Sequence, residues 1–341
     1  MENSKKTLNF YGVIISVCGY EEIVKKLISD FAFFSSNDKT AENIQLKINL
    51  EFPPYDKISN LTATMYKTDC IVYDNKDIRY VDYNKKCLCI YNKKNLSAEI
   101  YSKDKDLLYE ISYLFIHSRV GELLDLKGFH RIHSCAFSYN DTSYILMLPQ
   151  GAGKSTFLFN LIKSNKIKIF SDDTPIINSQ GKLFPFPIRI GLCNDIDTTD
   201  IKEEYIYNFK RRKFADKKLL SYEYFKDKIE DKNLPIKIIY GQRIFSDYSK
   251  IKKTNKLVIF KELIKNCIIG YGLPQVLEYF LSCNIKDIFI KTYIALLRTC
   301  SCIMLLFKSK ESYCFYLSND TKENREKFFN FFKDKNNNEN N

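Results

Sequence analysis

A short glycine-rich segment near the middle of the chain has the residue types that phosphate binding requires: Gly151, Ala152, Gly153, Lys154, Ser155 and Thr156. The apolar residues 144–148 precede it, and residues 157–162 follow it with helical spacing. This order of strand, glycine turn and helix is the setting of a phosphate-binding loop. Glycines let backbone N–H groups turn toward phosphate oxygens, and the helix N-terminus adds partial positive charge. We therefore expect the segment to hold ATP, with Lys154 at the β- and γ-phosphates and the Ser155 hydroxyl on Mg²⁺.

The start of this loop departs from the usual pattern. The full pattern G-x-x-x-x-G-K-[ST] has a glycine where this chain has Leu148, and Pro149 and Gln150 follow. We expect the loop to begin differently from that of an ordinary P-loop NTPase. The alternative is a glycine turn that only caps a helix.

A pair of carboxylates, Asp172 and Asp173, follows the next predicted strand, at residues 167–170. A carboxylate at the C-terminal end of that strand can reach a Mg²⁺ held on the phosphates. The other carboxylate can orient or deprotonate an acceptor hydroxyl. We expect Asp172 and Asp173 to be catalytic and Ser155 and Asp173 to bind the metal. The alternative is a helix cap or a turn, where Asp is common.

Histidine is scarce, with three residues in the chain, and His133 has the best position for chemistry. It precedes the predicted strand 134–139, which leads into the strand of the phosphate-binding loop. His133 can orient an Asp or tune its pKa, and we include it among the catalytic candidates. The alternative is a structural histidine. His130 and His117 have weaker claims.

Basic residues form a second candidate group: Lys210, Arg211, Arg212, Lys213, Lys217 and Lys218. Such a cluster can neutralise charge on a transferring phosphoryl group or bind an acidic peptide. A solvated helix face is the alternative. Arg298, placed by the sequence pattern near a strand end, is a weaker candidate for the same role.

The composition favours a globular protein with two domains. The 341 residues are 45% hydrophobic and 28% charged, and the net charge is +12. The lysines are dispersed, which favours phosphate-containing ligands over nucleic acid. Eleven cysteines without a CxxC pair indicate reduced, buried thiols in the cytoplasm rather than a zinc site. No run of 18 apolar residues occurs, so we expect no membrane span and no membrane partner.

Hydrophobic periodicity predicts the remaining elements. Residues 1–103 form a structural or recognition domain of mixed α+β type, residues 104–333 a nucleotide-binding domain, and residues 334–341 a disordered tail. A helix is expected over residues 105–126, ended by Gly128, and a final helix over 323–332. Further predictions are strands at 10–17, 44–52, 70–73, 78–83, 87–91, 236–244 and 257–260, helices at 20–34 and 275–281, a helical or loop-like stretch at 196–232, and a hairpin of 303–307 with 313–317. The pairs Cys87/Cys89 and Cys300/Cys302 have strand spacing.

Three parts of the chain, in this order, resemble the HPr kinase/phosphorylase-related kinases: residues 128–136, the glycine-rich loop, and residues 171–175 with Phe186-Pro187. The similarity spans roughly residues 105 to 330 and is greatest to the branch found beside modified-peptide (lasso-type) gene clusters. It implies an α/β fold with a phosphoenolpyruvate-carboxykinase-like core, a mixed sheet, and phosphoryl transfer to a serine hydroxyl. It also implies that His133 is hydrogen-bonded to the Asp pair.

Two departures from that family limit what the resemblance implies. Leu148 replaces the first glycine, and the glycine-rich segment of bifunctional HPr kinase/phosphorylases is missing after the Asp pair. Both argue against HPr as the substrate and against a phosphorylase activity.

The leading hypothesis is an ATP- and Mg²⁺-dependent kinase whose partner is a peptide or protein with an acceptor serine. The alternatives are a non-catalytic module that senses ATP or assembles with a partner, and an NTPase that drives motion. The chain has no N-K-x-D guanine motif, which disfavours a GTPase. Self-association stays open.

Overall fold

The structure is a computed structural model that describes residues 5–37, 41–212, 215–273, 276–280 and 285–339, with the side chains of 277, 280 and 334–339 excluded. The chain forms two compact units. The first comprises Met1–Leu124, Asn208–Lys217 and Pro274–Asp287, and the second comprises Asp125–Tyr207, Lys218–Leu273 and Ile288–Asn341. The chain thus passes between units inside the helix Lys105–Leu126, whereas the sequence placed a boundary at residues 103 and 104.

The first part of the chain contains these elements: β1 Lys6–Phe10, β2 Val13–Gly19, α1 Glu21–Asp30, β3 Ser35–Ser36, β4 Ile44–Asn49, β5 Ala63–Lys67, β6 Cys70–Asn75, β7 Ile78–Tyr83, β8 Cys87–Asn92, β9 Ser97–Ser102 and α2 Lys105–Leu126. All nine strands form one mixed sheet in the order β3-β1-β2-β4-β9-β8-β7-β6-β5. The pairs β2/β4 and β4/β9 are parallel, and the other pairs are antiparallel.

The alternation of buried and exposed side chains shows which side of this sheet packs on the core. Along β4, Ile44, Leu46 and Ile48 are buried while Gln45 and Lys47 are exposed. Cys87 and Cys89 in β8 are both buried free thiols, as the sequence predicted. The predicted strand over residues 10–17 is in fact two strands, because Tyr11 and Gly12 have positive φ and form a turn.

The later part of the chain contains these elements: β10 Phe129–Arg131, β11 Cys135–Tyr139, β12 Thr142–Met147, α3 Lys154–Lys163, β13 Lys168–Ser171, β14 Ile176–Asn178, β15 Leu183–Phe184, β16 Ile190–Leu192, β17 Ile206–Phe209, β18 Lys217–Leu220, β19 Ile236–Arg243, β20 Lys250–Lys253, α4 Lys256–Leu263, α5 Leu277–Phe280, α6 Ile285–Lys308, β21 Glu311–Leu317 and α7 Thr321–Glu339. A π-helical turn, Ile264–Ile268, continues α4. The sheets β10-β14-β15 and β16-β18-β17 are small.

The second unit is built on a six-stranded mixed sheet in the order β13-β11-β12-β19-β21-β20. Its middle strands β12, β19 and β21 are parallel, and β11, β13 and β20 add antiparallel pairs. Every residue of β12 is buried, because helices cover both faces. Tyr144 and Leu146 pack with α3 and α7, while Ile145 and Met147 pack with α4 and α6. The protein is therefore of the mixed α/β class.

Two predicted elements and one predicted cysteine spacing are wrong. Residues 257–260 are helical in α4, where the Asn255 side chain accepts a hydrogen bond from the Val258 N–H and caps the helix. Residues 303–307 lie in α6 rather than in a hairpin, because a short apolar run does not distinguish a strand from a helix. Cys300 and Cys302 consequently differ in burial: Cys300 is exposed and Cys302 is buried.

Other elements differ mainly in extent. Helix α2 begins and ends at the expected residues, and Gly128 follows it with φ +77°. The stretch 196–232 contains the short strands β17 and β18 besides turns. Helix α7 continues through residue 339, into the predicted tail, and residues 340 and 341 lie outside the described residues. Of the predicted helix 275–281, residues 277–280 form α5, and Gln275 and Leu281 lie outside the described residues. Helix α6 is apolar and long enough to cross a membrane by length and composition alone, which is weak indication of a span.

Candidate functional site

The glycine-rich loop connects β12 to α3, as the sequence predicted. Gly151 has φ +79° and Gly153 has φ +89°, backbone conformations that residues other than glycine rarely adopt. Helix α3 begins at Lys154. Among the described residues, no side chain forms a capping hydrogen bond at this helix start, and uncapped N–H groups of this kind are suited to binding an anion. A Cβ on Gly151 would meet no described atom within 4 Å, which leaves the loop backbone open to close approach.

Leu148, the departure from the usual loop pattern, belongs to the core. Its side chain is 1% exposed and packs with β12, α3 and α7. A Cβ on Gly241 of the adjacent strand β19 would lie 2.6 Å from Leu148 Cδ2. The glycine on β19 thus makes room for the leucine, and Leu148 serves the core rather than the loop.

Lys154 and Asp173 form an ion pair in the site. Lys154 Nζ lies 2.5 Å from Asp173 Oδ1; the Lys154 side chain is 8% exposed and that of Asp173 is 39% exposed. Burial by itself would raise the pKa of Asp173, but the Lys154 ammonium and the hydrogen bond with His133 outweigh it and hold this pKa well below its usual range. Asp173 is therefore a carboxylate at neutral pH.

Ser155 and Asp172 form a second contact beside the first. The Ser155 hydroxyl donates to Asp172 Oδ2 at 2.8 Å, and Asp172 is buried. Both aspartates follow β13, whose pairing with β11 shifts register between Ala136 and Phe137. The Ser134 N–H donates to the Asp173 carbonyl at 3.2 Å, which fixes the backbone at the Asp pair.

His133 lies on the other side of Asp173. Its Nε2 is 3.4 Å from Asp173 Oδ1, at the long end of hydrogen-bond distance. The backbone N–H of His133 donates to the Asn266 carbonyl at 2.9 Å, in the π-helical turn after α4. A Cβ on Gly272, which has φ +86°, would lie 2.5 Å from the imidazole ring. The ring therefore rests against bare backbone, and only glycine fits at residue 272.

The two other histidines have structural positions. His117, in α2, is buried and packs against Phe31 and Tyr113. His130 Nδ1 lies 2.8 Å from Asp125 Oδ1, and both side chains are fully buried.

Arg298 is part of that same buried network and is placed in the middle of α6, not at a strand end. Its Nε and Nη2 donate to the two carboxylate oxygens of Asp125 at 3.0 and 2.5 Å. Its Nη1 donates to the Cys267 and Ile268 carbonyls at 3.2 and 3.1 Å. The guanidinium thus anchors the π-helical turn that carries Asn266, and this assigns Arg298 a structural role instead of the phosphoryl contact suggested by sequence.

The basic cluster divides between the units. Arg212 belongs to the first unit, where its Nη2 lies 2.7 Å from Asp69 Oδ2 and its guanidinium lies 4.5 Å from the centre of the Tyr83 ring. Arg211 Nε donates to the Ala215 carbonyl at 2.7 Å. Lys213 lies outside the described residues. The cluster is therefore not a uniformly solvated helix face, since Arg212 is an ion-paired side chain.

Arg243 was missed by the sequence reasoning. It ends β19, and its Nε donates to the Ala152 carbonyl of the loop at 3.1 Å, while Nη1 contacts the Ser318 carbonyl. Its Nη2 lies 3.1 Å from the position of a Cβ on Gly153. The predicted strand 236–244 placed Arg243 at a strand end, but only the parallel pairing of β12 with β19 brings that end to the loop.

One group in the first unit has the geometry of metal ligands: Asp69, Cys70 and Glu278, with ligand atoms within 4.8 Å of one another. Cationic side chains already hold the two carboxylates, because Lys67 Nζ lies 2.5 Å from Glu278 and Arg212 lies 2.7 Å from Asp69. Burial raises the pKa of the Cys70 thiol to about 12, which disfavours the thiolate that a metal requires. The chemistry of this group is that of an ion-pair cluster.

A scan against protein-family models matches no family, and a search of the curated proteins finds no match. The resemblance to HPr-kinase-related proteins therefore stays a prediction from the motifs.

Proposed function

We propose that this protein is an ATP-dependent, Mg²⁺-requiring kinase that transfers the γ-phosphoryl group to a serine hydroxyl of a peptide or protein. The observation that carries the proposal is the convergence of Lys154, Ser155, Asp172, Asp173 and His133 at the N-terminus of α3. A phosphate-binding loop alone fits any nucleotide-binding protein, whereas an added carboxylate pair with a neighbouring imidazole suits activation of a hydroxyl.

The loop residues fit the triphosphate of ATP. The uncapped N–H groups at the start of α3 can donate to phosphate oxygens, and the open space beside Gly151 lets a phosphate approach the backbone. Lys154 is the cation for the β- and γ-phosphates. Arg243, bonded to the loop carbonyl of Ala152, holds the loop in shape and adds positive charge beside Gly153.

The donor set for Mg²⁺ consists of oxygens, as this hard cation prefers. The Ser155 hydroxyl and the carboxylate of Asp172, which lie 2.8 Å apart, would hold it, whereas the sequence assigned the metal to Ser155 and Asp173. When bound, the ion would neutralise charge on the phosphates.

The ion pair between Lys154 and Asp173 provides a way to generate the base. While Lys154 lies 2.5 Å from Asp173, the carboxylate has a lowered pKa and is a weak base. If Lys154 turns to the phosphates, Asp173 loses its main cationic partner and its pKa rises toward the ordinary value of about 4. The serine O–H proton then passes to the carboxylate, the serine oxygen bonds to the γ-phosphorus, and the bond to the ADP oxygen breaks. His133 orients Asp173 in this step.

Two finer proposals follow from the same residues. The mixed six-stranded sheet with a loop after a central strand supports a phosphoenolpyruvate-carboxykinase-like core. The cysteines of the described residues are free thiols, which supports a reducing compartment, and we propose the cytoplasm.

The proposal is tested with purified full-length protein, Mg²⁺, ATP and a library of serine-containing peptides, each paired with its Ser→Ala counterpart. A kinase consumes ATP in proportion to phosphopeptide, and only with the serine member of a pair. Nucleotide binding without turnover on any peptide supports the alternative, a module that senses ATP. Hydrolysis at the same rate with either member of each pair supports the NTPase alternative instead.

A further inference from the structure

The outward face of α6 carries an uninterrupted apolar stripe. We call it the α6 stripe and define it by six residues: Phe289, Tyr293, Leu296, Cys300, Ile303 and Phe307. All six are exposed, with values of 71% for Phe289, 60% for Leu296 and 78% for Phe307. Soluble proteins rarely leave so many large apolar side chains in one continuous row, so the stripe indicates an interaction surface.

The rest of the helix explains why the stripe faces outward. Ile294, Cys302 and Leu305 on the opposite side are buried, the last two in the core against the sheet. Between Thr292 and Phe307 the sequence has a single charged residue, Arg298, and its guanidinium is buried against Asp125. The exposed side of α6 therefore presents no charge over these residues.

The spacing of the stripe identifies the kind of partner. Successive members are separated by four, three, four, three and four residues. This is the period of 3.5 that lets one helix pack continuously along another with a left-handed supercoil. The helices of a globular core follow 3.6 residues per turn and need no such strict repeat. The surface is suited to another α-helix.

The stripe is also complementary to itself when one copy is reversed. Turned about a two-fold axis at the level of Arg298, Phe289 meets Phe307, Tyr293 meets Ile303, and Leu296 meets Cys300 of a second copy. Large side chains thus oppose large ones at both ends, and a smaller pair lies at the centre. An isologous interface of this kind needs no second gene product.

The exposed area of the stripe supplies a large part of what such an interface needs. Each aromatic side chain can bury about 150–250 Å². Phe289, Tyr293 and Phe307 are more than half exposed, and Ile288 and Met304 flank them at 62% and 39%. Together with Leu296 and Ile303, the stripe offers several hundred Å² toward the roughly 800 Å² per partner of a stable interface.

We propose that the α6 stripe binds the α6 stripe of a second copy of this chain, antiparallel, and forms a homodimer. A bilayer surface is the less favoured occupant, because a helix lying on a membrane carries several lysines along the border of its apolar face, and Lys291 is the only lysine between Phe289 and Phe307. The proposal does not depend on the kinase activity.

The first test is sedimentation velocity of the full chain over concentrations up to about 50 µM, a range that detects any Kd tighter than that value. The wild type should dimerise, and Leu296→Glu and Phe289→Glu should each weaken the dimer by at least about 30-fold, because each would bury an unpaired carboxylate in both halves of the interface. Phe52→Glu is the matched control, since Phe52 is 80% exposed and lies outside the stripe. It should leave the dimer unchanged.

The second test fixes the orientation. Leu296→Cys places a thiol opposite Cys300 of the second copy and should yield a disulfide-linked dimer on mild oxidation. The double variant Leu296→Cys/Cys300→Ser should not cross-link if the helices are antiparallel. Efficient cross-linking of the double variant would indicate parallel helices and overturn the proposed arrangement.

A wild type that stays monomeric throughout this range would overturn the proposal, as would a dimer that Leu296→Glu leaves intact. Co-sedimentation of a monomeric wild type with vesicles of anionic phospholipid, lost in Leu296→Glu, would assign the stripe to a membrane instead.

Discussion

Replacing Lys154 with alanine perturbs the proposed site at its main positive charge. The ammonium lies 2.5 Å from Asp173 Oδ1 and is 8% exposed, at the first residue of α3. It is thus fixed beside the glycine-rich loop. We expect Lys154→Ala to weaken ATP binding and to abolish phosphoryl transfer.

The size of the effect follows from what Lys154 gains and gives up. A charge-assisted contact with a phosphate contributes about 2–4 kcal/mol in a water-excluded site. When ATP binds, Lys154 gives up its ion pair with Asp173, whose side chain is 39% exposed. Ion pairs that are this accessible to water contribute about 1 kcal/mol or less. The net loss is about 1–3 kcal/mol, which weakens ATP binding roughly 5- to 140-fold.

Isothermal titration of the purified variant with MgATP measures this loss. Lys163→Ala is the matched control, because Lys163 lies on the same helix and its Nζ lies 2.7 Å from Asp200. The control should bind ATP like the wild type. Wild-type affinity in Lys154→Ala, with an unchanged fold, would refute the assignment of this loop.

The same variant tests the proposed origin of the base. Without Lys154, the pKa of Asp173 should rise toward about 4, as followed by NMR titration of the carboxyl carbon. The lowered pKa of Asp173 also affects stability. A carboxylate with a lowered pKa stabilises the fold above about pH 4, and this contribution declines as the pH falls below that value. The acid-induced loss of stability should therefore be smaller in Lys154→Ala. An Asp173 pKa unchanged by the substitution would contradict the pairing.

Four further substitutions have definite expected outcomes. Asp172→Asn and Asp173→Asn should each lower kcat, by roughly 10²–10⁴-fold for the residue that serves as base, with little effect on metal-free ATP affinity; full activity in both would support the sensor alternative. Gly272→Ala should destabilise the fold by about 1–3 kcal/mol more than Gly128→Ala. Both glycines have positive φ, but only a Cβ on Gly272 would collide with His133. Equal melting temperatures of the two variants would show that the His133 ring is not held there. Arg212→Ala should lower the melting temperature by leaving Asp69 without its guanidinium, whereas a peptide-docking role would raise KM alone and leave thermal stability unchanged.

Local patterns sufficed for the elements that bear the site. The apolar run before the loop, the glycines within it and the helical spacing after it predicted β12 and α3, and the Asp pair was placed correctly after β13. Each of these depends on neighbours in sequence, which is where periodicity and turn chemistry act.

The contacts that the sequence did not predict depend on which strands lie side by side in the sheet. Arg243 reaches the loop because β19 lies beside β12, and Leu148 fits in the core because Gly241 on β19 has no side chain. Likewise, residues 303–307 are apolar enough for a strand, yet they continue the helix that packs on the sheet. Sequence spacing carries no information on which strands become neighbours.

Phosphoryl transfer to serine is measured most directly with γ-labelled ATP, by determining which product carries the label. The full chain is incubated with Mg²⁺ and the serine peptides, and the label is partitioned between peptide and inorganic phosphate, with mass analysis of the modified residue. We expect label on a peptide serine, lost in Lys154→Ala and retained in Lys163→Ala. Label found only in inorganic phosphate, or transfer that survives in Lys154→Ala, would contradict it.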